Sequence, residues 1–128
     1  MAVTIVRLGT PRQPAEGLRI GTVRRLPRGV PKAQYAKQNW FDVWLPNLSP
    51  SAELMRETDI VHDRRKWAVF ERRFRAELKK PDAAHLLDTL AALSHKADFS
   101  IGCYCEDERV CHRSILRSEL AKRGAAVG

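Results

Sequence analysis

Apolar residues follow two rhythms along this chain of 128 residues: short strand-like runs near the start and near residue 100, and helical spacing between and after them. Val3 to Leu8 is a β-branched run closed by Gly9, which predicts a first strand. Thr10 to Gly17, with Pro11, Pro14 and Gly17, must be a loop. Leu18 to Leu26 reads as a second strand that stops before Pro27, because proline has no N–H for a ladder hydrogen bond. Pro27 to Lys32 is a stiff basic turn around Gly29. Phe41 to Leu45 fits either a strand or an irregular apolar plug.

Helical spacing takes over next. A helix begins at Ser49-Pro50-Ser51, with either Ser49 or Ser51 as its cap. From Asp63, the positions Trp67, Phe70, Phe74 and Leu78 form one apolar face ringed by arginines, and Pro81 ends the element. Asp82 is expected to cap a further helix with Leu86, Leu90, Leu93 and Ala97 on its buried face. Phe99 to Cys105 is a near-continuous apolar run, the pattern of a central parallel strand covered on both faces. From Val110 the period changes again, with Leu116 and Leu120 on one stripe and Gly124 as a left-handed cap behind Lys122 and Arg123. Strands, then helices, then a strand feeding a helix predict a single α/β domain over residues 1–128: a three-layer α/β/α sandwich with a mostly parallel sheet.

Composition sharpens the picture in two places. No apolar run approaches the roughly 20 residues needed to span a bilayer. The opening residues read as a strand, not a signal peptide, so no membrane partner is expected. Three cysteines, an odd number, point to reduced thiols in the cytoplasm. The net charge of +8 is uneven: residues 1–38 hold eight basic residues and one acid, Glu16, whereas residues 39–128 hold fifteen basic and fourteen acidic residues. Basicity is thus a property of the first third, which favours an anionic partner there.

The stretch Ser100 to Ser114 concentrates the chemistry, with Cys103, Cys105, Cys111 and His112 close together. On a strand, Phe99, Ile101, Cys103 and Cys105 share one face. Asp107 or Glu108 stands where it would cap the last helix or complement its positive end. The C-x-C-x5-C-H spacing is not the CxxC pairing of structural zinc sites, so neither metal nor cofactor is assigned. The spacing Cys103 to Arg109 matches a C-x5-R phosphate loop, but Glu106, Asp107 and Glu108 would repel a phosphate, and it is read as coincidence. Cys111 is the candidate nucleophile and His112 the candidate proton carrier, since a helix N-terminus and Arg113 lower a thiol pKa. The plainer reading of Cys111 is a partly buried, inert thiol.

The remaining candidates concern anions. Arg24, Arg25 and Arg28 sit at or after the carboxyl end of the second strand, and Arg113 and Ser114 open the last helix. Ligands of open α/β sheets sit beyond the carboxyl ends of strands, often at a helix N-terminus. A small phosphate-, sulfate- or carboxylate-bearing ligand between the Arg24–Lys32 turn and the Cys111–Ser114 helix start is therefore the leading expectation. The structural alternative is that those arginines pair with Glu106, Asp107 and Glu108. Nucleic acid is the second functional reading: Tyr35, Trp40 and Trp44 near the basic third could stack on bases, though no nucleic-acid motif is present.

The succession Val23-Arg24-Arg25-Leu26-Pro27-Arg28-Gly29-Val30-Pro31-Lys32, Phe41-Asp42-Val43-Trp44-Leu45 with Leu48 to Leu54, then Trp67, Phe70 and Arg73 to Leu78, resembles the YeaO-like family, domain of unknown function 488. Tyr104 to Glu108 and Cys111-His112-Arg113-Ser114 resemble the Cys-His-Arg ending of the wider superfamily. The resemblance implies a small bacterial or archaeal cytosolic α/β protein and directs attention to Arg24, Pro27, Arg28, Gly29 and His112. Val23 stands where an Asp commonly precedes the first arginine, so a role needing that carboxylate is not expected here.

Overall fold

The computed structural model describes residues 1–128. Four strands form one sheet: β1 (Val3–Arg7), β2 (Leu18–Gly21), β3 (Val43–Trp44) and β4 (Phe99–Cys103). Their spatial order is β1-β4-β2-β3, and every pair is parallel. β4 is buried along all five residues, as a strand flanked on both edges and covered on both faces must be. Four helices complete the fold: α1 (Ala52–Thr58), α2 (Trp67–Leu78), α3 (Pro81–Leu93) and α4 (His112–Lys122). The chain is thus an α/β protein built on an all-parallel sheet.

The layers follow from the register. Val3 lies beside Phe99, and Ile20 beside Ile101. These side chains enter one 17-residue cluster with Leu54 of α1, Phe70, Phe74 and Leu78 of α2, Leu87 and Leu90 of α3, and Ile115, Leu116 and Leu120 of α4. Each fully buried aromatic or leucine there contributes about 1.5–3 kcal/mol. The alternate positions, Arg19, Gly21 and Gly102, face the other way and meet no helix. A Cβ at Gly21 would lie 2.5 Å from the Phe41 ring, and one at Gly102 2.5 Å from Leu8. Helices form one outer layer; the layer expected to complete the sandwich is irregular chain carrying single 3-10 turns at Pro14–Glu16 and Lys32–Gln34.

Arg19 holds that irregular layer down. Its guanidinium is fully buried and donates to Glu16 Oε1 at 2.6 and 3.1 Å, to Thr10 O at 2.9 Å and to Asn39 O at 2.8 Å. A charge inside the fold is tolerable only when paired and hydrogen-bonded, and here both conditions are met. Asp42 fastens the same layer, accepting from Arg12 and from the Arg19 backbone N–H at 2.8 Å. Burial pushes the Asp42 carboxyl up, but these partners outweigh it and hold it below the usual carboxylate range.

Several boundaries differ from the sequence reading. β2 ends at Gly21, not Leu26: Thr22 N–H still donates to Gly102 O at 3.0 Å, but the Thr22 carbonyl turns to His112. Ser51 caps α1, accepting from Leu54 N–H at 3.1 Å. Asp82 does not cap α3; Lys80 is its N-cap and Pro81 its first residue, with Asp82 inside the first turn. Asp107 caps a 3-10 turn at Glu108–Val110, accepting from Arg109 N–H at 3.0 Å, whereas α4 starts at His112 with Cys111 as its N-cap. Phe41 plugs Gly21 while Val43–Trp44 adds the edge strand, so both readings of that segment hold in part. Gly124, at φ +82°, is the left-handed cap of α4.

Candidate functional site

β4 delivers Cys103 to the carboxyl edge of the sheet, and Cys111 re-enters in extended conformation (φ −126°, ψ 150°) before α4 begins. The intervening hairpin-like excursion brings Cys103, Cys111 and His112 together: their ligand atoms all lie within 4.8 Å of one another, and all three residues are buried. Cys105, exposed, closes the group from outside with its Sγ 3.8 Å from Cys103 Sγ. His112 is anchored by Nε2, which lies 2.7 Å from the Thr22 carbonyl. A carbonyl oxygen only accepts, so Nε2 carries a proton. The other ring nitrogen, Nδ1, is 3.7 Å from Cys111 Sγ. The Phe74 ring meets the imidazole edge-on at 5.7 Å.

Arg113 is 3 % exposed and faces inward. It donates to Val6 O and Cys105 O, each at 2.6 Å, and through Nε to Cys111 Sγ at 3.4 Å. No carboxylate pairs with it, so the Cys111 sulfur is the one side-chain acceptor near this buried cation. Hydrogen bonds from the Cys103 and Cys105 thiols, together with His112 beside it, hold Cys111 well below the ordinary thiol range. The hydrogen bond to Cys105, with burial and the neighbouring Cys111, pushes Cys103 up. Of the three thiols only Cys111 is pushed down, while Cys103 and Cys105 are pushed up. Ser114 turns its hydroxyl back to Cys111 O at 2.9 Å, within its own helix start.

The arginines of the basic turn go elsewhere. Arg24 donates to Pro50 O at 2.9 Å and faces a cavity of about 330 Å³ lined also by Ser49, Ser51, Lys80 and Asp82. Arg25 and Arg28 line a second cavity, about 630 Å³, with Arg7, Trp40 and Tyr104. Arg7 ends β1, Tyr104 follows β4, and Arg25 and Arg28 follow β2, so this cavity lies beyond the carboxyl ends of three parallel strands. Tyr104 donates to Arg25 O at 2.8 Å and stands edge-to-face with Trp40 at 5.8 Å. Burial pushes its phenol up to about 12, so it stays a neutral donor. The candidates thus fall into three places. Arg25 and Arg28 converge, Cys111, His112, Arg113 and Ser114 converge, and Arg24 stands apart.

The helix start reaches Thr22, two residues before the basic turn, but does not line the second cavity. The expected pairing of the turn arginines with Glu106, Asp107 and Glu108 does not occur: those acids pair with Arg7, Arg109 and Arg117. Arg7 and Tyr104 escaped the sequence reading because nothing local marks them; only the parallel register sets them opposite the turn.

Residues 3–124 match the family model DUF488-N3a, described as the active DUF488-N3 subclade. The chain belongs to the DUF488-N3a family. The match spans every strand and helix and takes in Arg7, the Arg24–Lys32 turn and the Cys111–Ser114 helix start within one family unit. The DUF488-N3a chain holds no helix long and apolar enough to cross a membrane. No curated protein and no solved structure matches it.

Proposed function

We propose that this DUF488-N3a protein binds a small anionic ligand, one with a phosphate, sulfate or carboxylate group on a compact body, in the cavity between Arg7, Arg25, Arg28, Trp40 and Tyr104. The observation that carries the reading is the convergence of three arginines on one cavity at the carboxyl edge of a parallel sheet, where two of them, Arg25 and Arg28, have no carboxylate partner. Unpaired guanidinium forks suit planar or tetrahedral oxyanions, and a charge-assisted bond is about twice as strong as a neutral one. Arg7 donates through Nε to the Tyr104 carbonyl at 3.2 Å, and its one carboxylate contact, Glu106 at 3.6 Å, is exposed, so a ligand anion displaces that contact at little cost. Trp40, Tyr104, Leu8 and Leu26 supply an apolar wall for the ligand's body.

Calorimetric titration with inorganic phosphate, sulfate, citrate and nucleoside monophosphates tests the reading, repeated on Arg25→Gln and Arg28→Gln. Binding of at least one probe, weakened about tenfold or more by either substitution, is the expected result; a bidentate charged contact is worth roughly 1.5–3 kcal/mol. Wild-type protein that binds none of them at low salt overturns it. Single-stranded oligonucleotides belong in the same titration. If they bind tightly with a steep salt slope while every small anion fails, the basic first third serves nucleic acid instead.

A further inference from the structure

We propose that Cys103, Cys105, Cys111 and His112 form a zinc site that clamps the end of β4 to the start of α4. A tetrahedral ion with Zn–S bonds of about 2.3 Å sets its sulfurs roughly 3.8 Å apart, and a sulfur and a nitrogen slightly closer. The two edges resolved here agree: 3.8 Å between the sulfurs of Cys103 and Cys105, and 3.7 Å from Cys111 Sγ to His112 Nδ1. The ligand atoms of Cys103, Cys111 and His112 lie mutually within 4.8 Å. One ion therefore reaches those three, and Cys105, whose exposed side chain lies 3.8 Å from Cys103 Sγ, would turn in as the fourth donor. The sequence spacing argued against metal because neither pair is CxxC. The fold answers that objection, since the excursion from Tyr104 to Val110 folds Cys111 back onto the strand end.

Two features outside the four ligands fit a metal centre better than a group of idle thiols. His112 donates its Nε2 proton to the Thr22 carbonyl at 2.7 Å, which leaves Nδ1 free to ligate; metal-bound histidines are oriented in this way by a carbonyl or carboxylate behind them. Arg113 balances the charge. Three thiolates around a divalent ion carry one net negative charge, and the buried guanidinium, which has no carboxylate partner, donates directly to Cys111 Sγ at 3.4 Å. Three soft sulfur donors and one imidazole select zinc over magnesium or calcium. With four protein donors the ion has no open position, so its role is structural, and it stands apart from the cavity of the three arginines.

The test is anaerobic titration of the reduced, metal-free protein with Co²⁺, followed by displacement with Zn²⁺. One equivalent of Co²⁺ should give tetrahedral d–d bands and intense sulfur-to-cobalt charge transfer, both bleached by Zn²⁺. Because Cys105 is exposed, Cys105→Ser should fold and still take up the ion, with charge-transfer intensity lower by about a third as three thiolates become two. Cys111→Ala should abolish the bands; if that variant fails to fold, the wild-type and Cys105→Ser spectra decide alone. Wild-type protein that takes up Co²⁺ without charge transfer, or takes up none, overturns the site. So does a charge-transfer band that Cys105→Ser leaves at full intensity.

Discussion

Glu16→Gln is the sharpest probe of the irregular layer over the sheet. Glu16 Oε1 accepts both bonds from the buried Arg19 guanidinium, while Oε2 accepts from Gln13 N–H at 2.7 Å. A carboxamide keeps one acceptor and turns the other into a donor, so either the guanidinium or the Gln13 N–H faces an NH₂ group. It also removes the charge that balances an arginine with no exposure to water. Leaving one partner of a buried pair uncompensated costs about 3–5 kcal/mol, against a total stability of roughly 5–15 kcal/mol for a domain. With a urea dependence of about 2 kcal/mol per molar, the midpoint should fall by roughly 1.5–2.5 M at unchanged slope. Glu57→Gln, which breaks the half-exposed pair to Arg73, is the control and should cost under about 1 kcal/mol. The double variant Glu16→Leu/Arg19→Met should recover only part of the loss, because it strands the Thr10 carbonyl that Arg19 satisfies and the Gln13 N–H that Glu16 accepts from. If Glu16→Gln costs no more than the control, the guanidinium reaches water and the layer is not closed as described.

Gly21→Ala should destabilise the protein by about 1–3 kcal/mol, the cost of overpacking, because its Cβ falls 2.5 Å from the Phe41 ring; thermal melts compared with Gly29→Ala, whose Cβ meets nothing within 4 Å but sits at φ +73°, separate crowding from backbone strain. Glu119 gives a pH signature: burial pushes its carboxyl up, but Lys122, Arg75 and Arg123 outweigh that and hold it below the ordinary range. A lowered folded-state pKa means that stability is present above the unfolded value, 4.5, and is lost as pH falls toward the folded one. Urea midpoints should therefore drop below about pH 4.5, and Glu119→Gln should flatten that part of the curve.

The parts of this fold legible in the sequence were those set by local periodicity. Phe70, Phe74 and Leu78 announced the buried face of α2, and the continuous run from Phe99 announced a covered central strand. Turn chemistry was less legible, because several polar residues compete for each cap. Asp107 satisfied a 3-10 turn in place of α4, and Pro81 took the first helical position ahead of Asp82. Long-range partners left no local trace. Arg19 looked like one more cation of a basic segment, yet the fold buries it against Glu16, and Leu18–Leu26 lost its second half when His112 claimed the Thr22 carbonyl. The candidate site divided for the same reason: neighbouring arginines 24 and 25 point into different cavities, and only the parallel register sets Arg7 and Tyr104 opposite Arg25.

The position of β4 also dictates an order of assembly. Both of its neighbours, β1 and β2, are made long before it, and they do not pair with each other; Val3 and Leu18 alike must wait for Phe99. A nascent polypeptide emerging from the ribosome therefore carries two unpaired strand edges until most of the protein has been synthesised. Such high contact order slows folding and prolongs exposure to wrong partners, so in cells this small protein should depend on chaperone shelter more than its size suggests.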